Sequence, residues 1–234
     1  MMYKTIMGML LLLAFKTNPV QAQTITQSLS QSLANAKLVK ALVQMDGGSG
    51  SMNRAAVNHI QNLKSSSILV RLPDEKKRIA YMKSIGKTDQ AIELESELEE
   101  GNDNMMDYFL NNFDYCNVYF YYSSDAAAIF KEKKFDLLWI DKENKATDLS
   151  FEKTPYVLMH GPVSYLRWND QYKFRLHEWN GNKITYIEST AFPTIRLGKW
   201  KRRLRKLSQD IDLEKYSNLE LQVAGLNATY HNIK

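Results

Sequence analysis

Cysteine is almost missing from this 234-residue chain: Cys116 stands alone. A single thiol excludes an intramolecular disulfide, CxxC redox chemistry and a cysteine-based zinc site. Cys116 lies in Asp114-Tyr115-Cys116-Asn117, at the mouth of an apolar run. A free cysteine there reads as a small buried hydrophobe rather than an activated nucleophile. Histidine is scarce as well. His59, His160, His177 and His231 are far apart in sequence and form no HExxH motif. There is no GxxxxGK[ST] phosphate loop. Gly47-Gly48-Ser49-Gly50-Ser51 comes near a nucleophile elbow but has Ser at its last position and no apolar strand before it. No cofactor or metal is implied by any of these patterns.

What is present begins with an export signal. Lys4 supplies a positive start, residues 6–15 are apolar around Leu10, Leu11, Leu12 and Leu13, and Val20-Gln21-Ala22 offers small residues for a signal peptidase. A spanning helix needs about 20 apolar residues; this run is half that, and Lys16 ends it. Residues 1–22 are therefore expected to be removed, leaving a soluble mature chain from Gln23, periplasmic or secreted. No cysteine near the cut offers a lipid anchor. The precursor carries a net charge of +5, of which Lys4 and Lys16 leave with the signal. The remainder is nearly balanced but unevenly placed.

Residues 23–45 read as a polar amphipathic helix, with Ile25, Leu29 and Leu33 four apart. Residues 47–51 read as a Gly/Ser linker, and a short helix over 52–63 follows. Residues 23–65 are thus expected to form an N-terminal extension ahead of one domain over 66–234. That domain opens with an apolar strand, Ile68-Leu69-Val70-Arg71-Leu72. Pro73-Asp74-Glu75 is expected to start a helix. Gly86 and Gly101 are expected to interrupt two helices, with Thr88 or Asp89 capping the second. Residues 118–122, 137–140 and 156–159 read as further strands, and Ser123-Ser124-Asp125 as a helix N-cap. Short alternating runs then give a meander, with Asn180-Gly181-Asn182 as a hairpin turn. Residues 219–223 alternate like an edge strand, with a helix as the alternative. Strand-helix alternation followed by a meander predicts an α/β (α+β) fold: a mixed sheet with helices on at least one face.

Ile68-Leu69-Val70-Arg71-Leu72 with its Lys-rich helix, and residues 113–123, resemble a family of exported bacterial proteins of unknown function. The resemblance covers about a third of the chain. It implies export and an α/β fold, and brings no activity or site residues.

Three features carry functional expectations. If the early strands are parallel, their carboxyl ends share one edge, where ligands bind in such folds. Ser123, Asp125, Asp141 and His160 would then meet in a crevice able to supply the acid, base or metal ligands of an extracytoplasmic hydrolase. Ser124 or Asp125 as a helix cap is the plainer reading. Second, Arg196, Lys199, Lys201, Arg202, Arg203, Arg205 and Lys206 fall in a stretch without acids. Trp200, Leu204 and Leu207 stripe that stretch. Such a helix can lie on an anionic envelope surface or grip a polyanion. It can equally dock with its outer face solvated, or face the acids of residues 89–107. Third, Tyr165, Trp168, Tyr172, Phe174, Trp179 and Tyr186 read as core or cross-strand aromatics before they read as a sugar platform. The leading expectation is an uncharacterised exported cell-envelope protein with a non-catalytic binding or accessory role.

Overall fold

The computed structural model describes residues 54–147, 149–162, 172–181, 183–187, 205 and 215–233. The export signal, the Gly/Ser linker, Tyr165, Trp168 and the basic segment apart from Arg205 lie outside the described residues.

Five strands form one mixed sheet in the order β2-β1-β3-β4-β5. β1 (Ser67–Leu72) runs parallel to β2 (Asn117–Tyr122) on one side and to β3 (Tyr156–Pro162) on the other. β4 (Tyr172–Asn180) and β5 (Lys183–Tyr186) complete an antiparallel meander. The expected α+β class is therefore the observed one. β1 is an interior strand, and five of its six residues are buried. That is why its sequence is a continuous apolar run rather than an alternation. Gly181 turns the β4–β5 hairpin at φ 63°, a left-handed conformation that suits glycine.

Helices α1 (Arg54–Leu63), α3 (Thr88–Asn112) and α5 (Asn218–His231) bury the first face of the sheet. Ile60, Leu63, Met106, Phe109, Val223 and Leu226 meet Val70, Phe120, Leu158 and Phe174 there. Phe109 is at its centre, with ring contacts to Phe113, Phe120 and Phe174. The short helix α2 (Lys76–Ser84) leans on α3 and buries only Ile79. On the second face, α4 (Ala126–Glu132) presses Ile129 and Phe130 onto Leu69, Tyr121, Val157 and Trp179. The connection from β1 to β2 thus uses one face through α3. The connection from β2 to β3 uses the other through α4 and crosses to the far side of β1. The chain reverses its winding between β1 and β3.

Several expectations need correction. The boundary at 65/66 does not set α1 apart: Ile60 and Leu63 sit in the main core, and the Tyr115 hydroxyl donates to the Ile60 carbonyl at 3.0 Å. Gly101 does not break its helix. α3 runs unbroken for 25 residues, because one exposed glycine costs only about 1 kcal/mol in a helix that Met105, Met106 and Phe109 anchor in the core. Neither Thr88 nor Asp89 caps it; Lys87 holds the cap position without a side-chain bond. Pro73-Asp74-Glu75 precedes α2 rather than starting it, with Glu75 at φ 41°. Residues 137–140 do not form a strand. A 3₁₀ turn (Phe135–Leu137) is followed by isolated bridges from Trp139 to Phe120 and Lys145. Residues 219–223 are helical, the first half of α5, whose near-complete burial hides any amphipathic period. Phe174 and Trp179 are core residues, whereas Tyr186 is partly exposed against His177.

Candidate functional site

The carboxyl ends of β1 and β2 do share an edge, and a polar network forms there. Glu75, in its left-handed conformation, turns the chain sharply after β1. Asp74 is left facing the segment that follows β2. Its Oδ1 accepts from the Ser123 hydroxyl at 2.8 Å and its Oδ2 from the Ser124 backbone N–H at 3.2 Å. The Asp74 N–H donates back to Ser123 Oγ. Lys76 Nζ donates to Ser124 Oγ at 2.9 Å and lies 3.6 Å from Asp74 Oδ2. Ser124 Oγ in turn donates to Asp125 Oδ1 at 3.2 Å. Burial pushes the Asp74 carboxyl up, but the bonds from Ser124 and Ser123 and the Lys76 ammonium outweigh it and hold the pKa below its usual value. Asp74, not Ser124 or Asp125, therefore caps the turn that leads into α4. The expected N-cap at Ser123-Ser124-Asp125 is a 3₁₀ turn capped from β1's loop, and Asp125 makes no side-chain cap bond.

An open cleft of about 460 Å³ extends from this network between α2 and α3. Asn102 and Tyr122 form its floor, and Lys83 and Glu95 pair across its far end at 2.8 Å. Asn102 is buried and donates to the Pro73 carbonyl at 2.8 Å, fastening the loop after β1 to α3. Burial first, then the carboxylates of Asp103, Glu99, Asp74 and Asp125, raises the pKa of the Tyr122 hydroxyl. A Ser–Lys dyad needs a desolvated amine; the Lys76 side chain is 66% exposed and ion-paired. The Ser124–Lys76 contact is therefore part of the capping network rather than an activated nucleophile.

The other two expected members of the crevice are elsewhere. Asp141 closes its own turn, accepting from the Glu143 and Asn144 backbone N–H groups at 2.8 Å and from the Asn144 amide. Those bonds, the Asn144 side chain first, hold its carboxyl below the usual range. The segment carrying Asp141 is bridged to the outer edge of β2. It is three strand spacings from β3, about 14 Å. His160 lies within β3, on the face covered by α5. It stacks on Phe174 at 4.7 Å and contacts Gln222 Oε1 at 3.4 Å. Burial lowers its pKa, against the opposing Gln222 contact. Asp125 stands at the start of α4, on the opposite face. The crevice expected from Ser123, Asp125, Asp141 and His160 is thus not assembled: Ser123 and Asp125 meet through Ser124, while Asp141 and His160 are apart from them and from each other. No cluster of three or more His, Cys, Asp or Glu suited to a metal occurs among the described residues.

Cys116 is partly buried against the first core rather than wholly inside it, and burial raises its thiol pKa to about 12. Three of the acids of residues 89–107 pair with lysines of the described fold: Lys83 takes Glu95, and Lys142 takes Asp107 at 2.6 Å and Asp103 at 3.8 Å. Of the basic segment, Arg205 is helical and exposed. No helix among the described residues is long and apolar enough to cross a membrane. The residues missed from sequence are Asp74, Lys76 and Asn102. Asp74 and Asn102 act at long range, on Ser123 and Pro73, and no local spacing marks such bonds. No protein-family model matches the chain, and no curated protein or solved structure matches it either.

Proposed function

We propose that this chain is an exported protein of the bacterial cell envelope with a non-catalytic binding or accessory role, and that its basic segment meets an anionic surface. The observation that carries the reading is the employment of the strand-end polar groups. Ser123 and Asp125 serve the Asp74 cap, Asp141 serves its own turn, and His160 is packed between Phe174 and α5. Each candidate for chemistry has a structural task. Export is supported by the Lys4, Leu-rich and Val20-Gln21-Ala22 layout. Anion binding is supported by the seven cations from Arg196 to Lys206 without an intervening acid.

The test is retention on anionic vesicles. Wild-type protein should be held at low salt and released steeply as salt rises, because the attraction rests on screened charge and counterion release. Replacing Arg202, Arg203 and Arg205 together with Gln should keep the melting temperature and abolish retention. Retention that ignores salt, or unfolding of the variant, would overturn the reading. Mass spectrometry of the exported pool should find an N-terminus at Gln23; an intact Met1 there would refute cleavage.

A further inference from the structure

The cleft between α2 and α3 is walled by two matching stripes. Lys76, Ile79, Ala80 and Lys83 line it from α2, at helical positions that share one face. Glu95, Leu98, Glu99 and Asn102 line it from α3 at the same spacing. Both lysines are engaged at its ends. Lys83 pairs with Glu95 at 2.8 Å, and Lys76 bonds Ser124 and lies 3.6 Å from Asp74. Those ends are two helical turns apart, about 11 Å along α2. The open space of the cleft is about 460 Å³, within the range of small-molecule sites.

Between the engaged ends stand one free carboxylate and one free phenol. Among the described residues, Glu99 has no hydrogen bond and no ion pair. Lys83 meets Glu95, and the Pro73 carbonyl meets Asn102. The helices therefore run antiparallel, and Glu99 stands level with the turn of α2 that carries Ile79 and Ala80, where the opposite wall is apolar. The Tyr122 hydroxyl on the floor also has no hydrogen-bond partner among the described residues. Its ring is set edge-on to Trp139 at 6.2 Å. Burial first, and then the carboxylates of Asp103, Glu99, Asp74 and Asp125, disfavour its phenolate. The field that repels a phenolate attracts a cation. The lining side chains agree: the carboxylates of Asp74, Glu95 and Glu99 outnumber the ammoniums of Lys76 and Lys83 by one.

We propose that the α2–α3 cleft binds a small organic cation, a primary ammonium on a short apolar chain, with the ammonium held by Glu99 and the Tyr122 oxygen and the chain laid along Ile79, Ala80 and Leu98. An ammonium has three donors. Glu99 and the phenol oxygen accept two of them, and the open side leaves the third to water. The bond to Glu99 is charge-assisted, the stronger kind. A divalent metal fits less well. It needs several oxygen ligands converging on one point, and no cluster of three or more His, Cys, Asp or Glu suited to a metal occurs among the described residues. The excess negative charge of the walls opposes an anion. The site is distinct from the basic segment, and the inference does not rest on export.

NMR titration of the isotope-labelled protein with n-butylammonium tests it, with n-butanol and butyrate as the neutral and anionic controls of equal length. Backbone amides of residues 76–83 and 95–102 should shift saturably with n-butylammonium, and both controls should bind more weakly. Glu99→Gln should weaken binding at least about tenfold, and Glu99→Asp should recover part of the loss. Tyr122→Phe should weaken it about threefold. Ala80→Leu should abolish it by filling the space, and Glu97→Gln, an exposed acid outside the lining, should leave it unchanged. Glu99 and Ala80 are exposed, so their variants should keep the wild-type melting curve; should Ala80→Leu unfold, Glu99→Gln still decides. Equal binding of n-butanol would make the cleft an apolar groove, and displacement of n-butylammonium by an equal concentration of Mg²⁺ would make it an inorganic-cation site. Either result overturns the proposal, as does the absence of a saturable shift or binding indifferent to Glu99→Gln.

Discussion

The two faces of the sheet are built differently. The first receives three helices, α1, α3 and α5, and packs Phe109, Phe120, Phe174 and Tyr230 into one large core. Among the described residues, the second receives one seven-residue helix and the irregular segment after it. Its core is smaller and leaves Arg71 exposed at the strand ends. The first face supplies most of the burial. The stability of the fold is therefore carried mainly from one side of its strands.

Removing α1 should break the comparison most severely. A chain starting at residue 66 loses Ile60 and Leu63 from the first core. Full burial of such large apolar side chains contributes about 1.5–3 kcal/mol each. The truncated chain should lose its cooperative melting transition, and calorimetry against a chain starting at residue 52 reads this directly. Phe109→Ala comes next. Phe109 is fully buried among three rings, and the substitution should cost about 3–5 kcal/mol by urea denaturation.

Acid should act on both faces through their partly buried histidines. Burial lowers the pKa of His160 on the first face and of His177 on the second. Below the unfolded value of 6.5 the unfolded chain takes up protons that the fold resists. Stability contributed by these groups is therefore complete above that pH and is lost as pH falls toward the depressed folded values. His160→Gln should flatten the fall in the urea midpoint as pH drops from about 7.5 to about 5.5. Glu220 works in the opposite sense. Burial raises its pKa from 4.5, so its contribution is present below that pH and lost as pH rises through the folded value. The smallest effect is expected at Gly101, exposed in mid-helix with open space where a Cβ would stand. Gly101→Ala should stabilise the protein by about 0.5–1 kcal/mol, seen as a higher melting temperature.

Strong local patterns in the sequence carried the fold. The apolar run of β1, the aromatic run of β2 and the Asn180-Gly181-Asn182 turn all place elements correctly. Local patterns also misled where tertiary packing decided. Leu137-Leu138-Trp139-Ile140 has strand composition, yet only Trp139 bridges to β2. Leu219, Leu221 and Val223 alternate because α5 is buried almost all round, not because the segment is extended. Ser217 with Glu220 three residues on was the legible signal for that helix: Ser217 Oγ accepts from the Glu220 N–H at 3.0 Å. The expected crevice failed for a topological reason. Residues 137–140 do not enter the sheet, so the loop carrying Asp141 is at its rim, and His160 is drawn into β3 by its pairing with Phe174. Arg71 is in plain view within β1, but its place beside the reversal of winding depends on strand order, which spacing alone does not disclose.

The unequal division of burial between the two faces is tested most directly by urea denaturation of Phe109→Ala, Asp74→Ala and Arg71→Gln side by side. Phe109→Ala should lose about 3–5 kcal/mol. Asp74→Ala, which releases Ser123 and Ser124, should lose about 1–2 kcal/mol, and Arg71→Gln should stay within about 0.5 kcal/mol of wild type. The account is contradicted if Arg71→Gln unfolds the protein, or if Phe109→Ala leaves its stability unchanged.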